Sequence, residues 1–431
     1  MLPLTPLALL RNSQLENEPK AGQTFTDSHS TTVTMNTAIK RLLSVAASNT
    51  QCHSTKGIEK LGVIAFKLNI SKDVRRSLHA SAGFPMLCQS AATNLAAGHV
   101  GTVDIDPFHL VDGDLKTMFE EIHQELDEEL YYDSELREMS KYYFDGKGKA
   151  VRPVIAMCVG HAFNQHMGTF KENVCNQRKV AIISEMIHTA SLVHDDILDH
   201  AETRRGKLSV NTKWSLQKST MCGDYILAVG SKILAQIGNQ EVVRILSQVL
   251  ADLVQGEFQQ LQQADDDENE RFQQYLNKSF NKTASLMTYS CQANALLSGA
   301  SKDEVDAAYK YGKNIGIAFQ LVDDLLDFVS SAEQLGKPAA ADMKLGLATA
   351  PVLFATQQYP ELNEMIARRF CEEGDVEEAF KCVIKSSGVD QTKALAKQHC
   401  EEAIAALDLI SNSNYKLALV GLCDKVLNRL N

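Results

Sequence analysis

Tryptophan occurs once in this 431-residue chain, proline nine times, and aromatic residues make up 6% of it. So little proline, beside 24 glycines and 44% hydrophobic residues, excludes a collagenous or low-complexity chain and indicates a globular body. The ten cysteines include no C-x-x-C pair, and no histidines cluster at zinc-ligand spacing. No zinc site and no disulfide framework are therefore expected, only reduced thiols in a core. Long apolar runs are missing too: the longest, Val154–Gly160, is far short of the roughly 18 residues that cross a bilayer. No run alternates apolar and polar residues well enough to predict a sheet. Positive charge is scarce outside the first hundred residues. Those hold 10 of the 43 Lys and Arg and 5 of the 54 Asp and Glu, which leaves 33 against 49, or −16, for residues 101–431. An acidic body argues against a nucleic-acid partner.

What is present falls into two parts. Residues 1–105 are rich in Ser, Thr, Ala and Asn, with no acid from Ser28 to Ile58 or from Val74 to Val103. Lys40, Arg41, Arg75 and Arg76 supply the cations, and Met35–Ser48 has the pattern of a short basic amphipathic helix. This is transit-peptide composition, Arg75–Ser81 resembles the surroundings of a processing site, and the two predict import into the mitochondrial matrix with a mature start between residues 77 and 105. Residues 106–431 form the second part. Apolar residues three and four apart begin with Leu115, Met118, Phe119, Ile122, Leu126 and Leu130 and recur to the end. The periodicity predicts helices near 150–165, 177–200, 217–237, 240–263, 270–298, 302–330, 348–357, 374–386, 389–410 and 415–429, an all-α body. The acidic break Asp265–Glu270 reads as a solvated connection.

Two segments carry chemistry. In Ile187–Asp199, Asp195 and Asp199 lie four apart, so a helix projects both carboxylates from one face, with Asp196 about 100° round the axis. Phe319–Asp327 repeats the spacing at Asp323, Asp324 and Asp327, 128 residues later. Like charges four apart repel by roughly 0.2 to 0.5 kcal/mol unless a cation lies between them. Hard oxygens on adjacent turns suit Mg²⁺ shared with phosphate. Basic segments of matching chemistry are Gly146–Pro153, which opens a helix, and Thr203–Gly206, just after the first acidic motif. Guanidinium groups and helix N-termini both bind phosphate oxygens.

Taken together, these segments resemble the motif regions of the trans-isoprenyl diphosphate synthases, over roughly residues 110–431. Tyr143–Ala150, Lys344–Thr349 and Pro351–Ala355 are most similar to the long-chain all-trans-polyprenyl (decaprenyl-type) synthases of animal mitochondria. The resemblance implies a single large helical bundle with a central substrate cavity. It implies that Lys149, Arg152, His188 and Arg205 bind isopentenyl diphosphate, and that Arg204, Lys282, Thr283 and Gln320 bind the allylic diphosphate. Asp195, Asp199, Asp323 and Asp327 would hold Mg²⁺, three ions by the family's pattern, and with Lys282 would form the catalytic set. It further implies an oligomer, a heteromer with a second polyprenyl synthase subunit.

One departure stands out. Many members carry Gly-Lys-x-Thr after the second motif, where this chain has Gly346-Leu347-Ala348-Thr349, so a cation is absent and Lys337 or Lys344 is a candidate replacement. His200, directly after the first motif, is also unusual and has no evident role.

The chemistry so implied is ionisation of an allylic diphosphate, condensation with isopentenyl diphosphate and loss of a proton, giving a long all-trans chain for the ubiquinone side chain. Small residues at Ala190 and Ser191, below the first motif, would leave a passage open for that chain. Their alternative reading is close helix packing. A shorter-chain synthase of the farnesyl or geranylgeranyl type, a non-catalytic partner subunit and a diphosphate-dependent cyclase are the competing readings. Complete aspartate motifs oppose the partner subunit, and the set Lys149, Arg152 and Arg205 opposes the cyclase.

Overall fold

The periodicity seen in the sequence is realised as helix after helix. The computed structural model describes residues 105–430, apart from 129, 131–132, 147, 170–172, 262–266 and 330–339. The expected transit segment lies outside the described residues, as do Asp265 and Asp266 of the acidic break and Lys337; the rest of the break, read as a solvated connection, starts a helix at Glu268. The long helices are α1 (Asp112–Asp127), α2 (Val151–Met167), α3 (Val174–Leu198), α4 (Leu216–Gln236) and α5 (Gln240–Leu261). They continue with α6 (Glu268–Ser279), α7 (Ser285–Leu297), α8 (Lys302–Val329), α9 (Asp375–Lys385), α10 (Gly388–Ala406) and α11 (Asn414–Leu427). Most lie within a few residues of the predicted spans. Among the described residues no helix is long and apolar enough to cross a membrane.

The helices α3 and α8, which carry the two aspartate motifs, are the longest, and each is clad by neighbours: α3 by α2, α4 and α7, and α8 by α7 and α10. Helix α2 is buried on nearly all sides from Pro153 to Asn164, which is why its apolar residues show so little one-sided periodicity. Ends are set by local chemistry. Asp267, within the acidic break, caps α6 by accepting from the N–H groups of Asn269 (2.9 Å) and Glu270 (3.0 Å).

Besides short helices at Pro107–Leu110, Val210–Lys213, Ala341–Lys344 and Leu362–Ala367, three features depart from the expectation. Thr203–Arg204 and Lys207–Leu208 pair as a two-residue antiparallel hairpin, too short to leave an alternating pattern in the sequence. A helix at Ser134–Lys141 was not predicted. The predicted helix over 270–298 is interrupted by a π turn at Phe280–Ala284, which holds Lys282 and Thr283. That turn is gripped from both sides. A side chain at Gly256 of α5 would lie 2.7 Å from Cγ of Lys282, and one at Gly316 of α8 would lie 2.6 Å from Cα of Ala284. Only hydrogen at these two positions lets α5 and α8 approach closely enough to fix the turn.

Candidate active site

The end of α3 builds the first acidic group. Asp195 projects from the last turn, and Asp199 is the exposed residue that ends the helix. His200 adopts φ = 52°, the left-handed turn that stops the helix and lets the Ala201 N–H bond back to the Asp196 carbonyl at 2.9 Å. The unusual histidine therefore has a backbone role. Burial, with Glu257 and Asp199 nearby, lifts the Asp195 carboxyl to about 7 against the opposing pull of Lys282 and Arg204. A carboxylate so destabilised calls for a cation.

Asp196 has no exposed surface. Its Oδ2 accepts from the Tyr143 hydroxyl at 2.9 Å, and its Oδ1 accepts from Nε of Arg204 at 2.8 Å. Arg204, expected at the allylic diphosphate, is thus held by the first motif's central aspartate.

The second motif stands two to three turns along α8 from Gly316. Asp323 pairs with Arg429 at 2.7 Å, near the C-terminus, and lies within the electrostatic reach of Arg152 and Lys149. Burial still raises its pKa. Asp324 is buried and accepts from the Tyr275 hydroxyl at 2.6 Å and from Nε2 of Gln320 at 2.8 Å. Gln320 in turn accepts from the Thr283 hydroxyl at 2.6 Å, which links α6, the π turn and α8 in one hydrogen-bonded chain. Both oxygens of Asp327 are occupied: they accept from the N–H groups of Ala341 (3.0 Å) and Asp342 (3.1 Å). This aspartate, expected to bind metal, anchors the short helix Ala341–Lys344 in the structure.

Lys282 bridges the two halves. Its ammonium is 2.7 Å from Glu257 Oε1 and donates to Gln260 at 2.9 Å, while Asp195 is the largest charge acting on it.

The remaining basic residues gather where α2 meets α3. Nη1 of Arg152 lies 3.2 Å from Nε2 of buried His188. Burial and the charges of Arg152, Arg205 and Arg204 push the imidazole well below its usual pKa, so it is neutral and its free nitrogen can accept from the guanidinium. Glu185, one turn back on α3, is buried beside Arg152 and Arg205. Arg205 turns at φ = 52° and lies against Gly148, where any Cβ would be 2.8 Å from its Nη1. Lys149 is exposed, and Ala150 after it takes φ = 45° to start α2. Left-handed conformations in non-glycine residues cost roughly 1 to 2 kcal/mol each, and here they occur in both basic segments, as is common where a backbone is shaped for a ligand.

Ala190 has no exposed surface, and Ser191 is part-buried with its hydroxyl bonded to the His188 carbonyl at 2.9 Å.

The candidate donors for a metal are the hard carboxylates of Asp195, Asp199 and Asp323, and of Asp327, each of whose oxygens also accepts a backbone N–H. Among the described residues no three His, Cys, Asp or Glu side chains are gathered closely enough to hold an ion on their own. An ion here would take its other ligands from water and phosphate, which is how Mg²⁺ is commonly bound. Sequence reasoning missed Tyr143 and Tyr275, the glycines 148, 256 and 316, Glu257 and Arg429. For the tyrosines a signal existed: a doubled aspartate on a helix turns one of its pair away from the outer face, and a buried acid needs a donor.

Comparison with known proteins agrees with this geometry. Residues 133–383 match the Polyprenyl synthetase family. The chain is 48% identical over 383 residues to the all trans-polyprenyl-diphosphate synthase PDSS1 of Homo sapiens, covering 88% of this chain and 89% of that one. A probable mitochondrial hexaprenyl pyrophosphate synthase of Neurospora crassa is 38% identical over 388 residues, 80% of this chain and 86% of its own. Subunit 1 of the decaprenyl-diphosphate synthase of Schizosaccharomyces pombe is 38% identical over 352 residues, 76% and 92%. Among solved structures, a polyprenyl synthase from Caulobacter crescentus complexed with calcium and isoprenyl diphosphate superposes with a TM-score of 0.66 at 29% identity, over 75% of this chain and 97% of that one. The chain belongs to the polyprenyl synthetase family.

Proposed function

We propose that this protein is an all-trans-polyprenyl diphosphate synthase, which adds isopentenyl diphosphate units to an allylic diphosphate to build a long prenyl chain of the kind ubiquinone carries. The observation that carries this reading is the interleaving of charge. Asp195 lies within reach of Lys282 and Arg204, and Asp323 within reach of Arg152 and Lys149, so each acidic motif faces a separate basic set. Two diphosphates, one leaving and one retained, need such a duplicated arrangement.

On this reading Arg152, Arg205 and Lys149 bind the diphosphate of isopentenyl diphosphate. Neutral His188 holds Arg152 in place without competing for its charge. Lys282, Thr283 and Gln320 orient the allylic diphosphate, with the Asp324–Tyr275 pair fixing the Gln320 amide. Mg²⁺ held by Asp195, Asp199 and Asp323 would supply the Lewis-acid charge that stabilises the departing diphosphate. Asp327 shapes the chain that follows the second motif rather than serving as a ligand. The allylic cation is attacked by the alkene of isopentenyl diphosphate, and the proton then lost passes to the departed pyrophosphate.

The named relatives support the rest of the proposal, which is a mitochondrial matrix enzyme working as a heteromer with a second polyprenyl synthase subunit. Residues 1–105 supply the import signal, and residues 106–431 the synthase domain. The direct test is condensation of labelled isopentenyl diphosphate onto a farnesyl primer with Mg²⁺, by the chain alone and with any co-purifying subunit. Absence of prenyl product from both preparations overturns the reading. Chain length is tested at Ala190, whose replacement by Phe should shorten the longest product, since overfilling an apolar passage costs roughly 1 to 3 kcal/mol. Chromatography of dephosphorylated products checks this, and an unchanged longest product from a well-folded variant excludes the passage.

A further inference from the structure

The family resemblance puts a lysine where this chain has Leu347, and of the two replacements the sequence offers Lys337 lies outside the described residues. In the structure Gly346, Leu347 and Ala348 form part of the wall of a cleft open to solvent. Helix α6 and the end of α5 contribute Lys278, Tyr275 and Gln260 to the same cleft. Two of these residues already touch the site: the Tyr275 hydroxyl is on Asp324, and Gln260 accepts from Lys282. The cleft and the allylic side of the site therefore share walls.

Lys278 itself has no assigned task. It is part-buried on α6, four residues before Lys282; its ammonium lies 5.8 Å from the centre of the Tyr275 ring but among the described residues makes no ion pair, whereas Lys282 is paired with Glu257. Asp324, Asp342 and Glu257 act on it from a distance and Lys282 opposes them, so it belongs to the same electrostatic neighbourhood. A covered ammonium without a counter-ion is costly unless a ligand provides one. The other cations described near Leu347 are less suitable. Lys344 is exposed and does not line the cleft, Arg271 bonds Asn363 at 2.6 Å, and Arg369 packs against the Gly346 backbone.

We propose that Lys278 takes the place of the absent lysine: from the cleft beside Leu347 its ammonium binds the allylic diphosphate and then the pyrophosphate that leaves. The assignment rests on the proposed function. The ammonium keeps its proton throughout and forms only charge-assisted hydrogen bonds to phosphate oxygens.

Lys278→Met removes the charge and keeps the apolar stem, so the packing of α6 is retained. It should raise the KM for the allylic primer about 10- to 100-fold, the range for a lost hydrogen bond to a charged group, and leave the KM for isopentenyl diphosphate within about twofold. Calorimetry with inorganic pyrophosphate and Mg²⁺ should show a weakening of similar size without any turnover. Adding Leu347→Lys to Lys278→Met, which restores the cation from the opposite wall, should recover most of both losses. Lys278→Arg should lose less than Lys278→Met. Wild-type protein that makes no prenyl product would defeat the proposed function, while its pyrophosphate affinity would still report on Lys278. An unchanged primer KM and pyrophosphate affinity in Lys278→Met, equal weakening of both substrates, or no recovery with Leu347→Lys in a variant that melts normally overturns the assignment.

Discussion

The two aspartate motifs have the same letters and different surroundings. In the first, α3 ends at Leu198, so the motif's last acid, Asp199, is exposed. In the second, α8 runs on to Val329, and the last acid, Asp327, is buried beneath the segment it caps. The central acids behave alike. Asp196 and Asp324 are both buried, and each accepts a hydrogen bond from a buried tyrosine, Tyr143 or Tyr275. The comparison teaches that a repeated motif does not carry a repeated ligand set. The first positions lie beside cationic side chains, the central ones fix the architecture, and the last positions diverge with the course of the backbone.

The strongest way to break this comparison is at the first positions. Asp195→Ala and Asp323→Ala should each lower turnover by about three orders of magnitude or more with helical content intact by circular dichroism, because each removes part of the charge clamp on the leaving group. Near-normal Mg²⁺-dependent condensation in either variant would remove the equivalence of the two.

The last positions should then separate. Asp199→Ala should lower activity about 100-fold with an unchanged melting temperature. Asp327→Ala leaves the N–H groups of Ala341 and Asp342 without their acceptor and should cost about 1 to 3 kcal/mol of stability, with the smaller loss of activity. Thermal melts and single-turnover rates on both variants measure the contrast.

A finer distinction lies in the tyrosines. Tyr143→Phe and Tyr275→Phe each delete one hydroxyl from a buried carboxylate, for about 1 to 3 kcal/mol of stability apiece. Their kinetics should differ, since Asp324 fixes Gln320 and Asp196 fixes Arg204. Tyr275→Phe should affect the KM of the primer more than that of isopentenyl diphosphate.

The smallest effect is the pH dependence of the metal-free chain. Asp195 and Asp324 both titrate near 7, raised chiefly by burial. Between about pH 4 and 7 the folded chain holds protons that the unfolded chain has released, so the stability these groups contribute is fully present below about pH 4 and lost as pH rises through 7. Melting in chelator should therefore occur at a lower temperature at pH 8 than at pH 5.5, and Asp195→Asn should flatten part of that slope.

The sequence by itself determined the helical class, the spans of the long helices and the positions of the acidic and basic motifs. Each of these is a local property, read from residues three or four apart on one chain segment. The tertiary structure alone decided which partner each acid of the two motifs meets. That depends on which neighbour reaches the helix: Tyr143 and Arg204 at Asp196, Tyr275 at Asp324, the chain at Ala341 around Asp327, and Arg429 at Asp323. It also decided that Leu347 and Lys278, 69 positions apart, line one cleft. The reason is physical: burial and hydrogen bonding arise between elements distant in the chain, and the energy of a carboxylate is set by those neighbours far more than by its own place in a pattern.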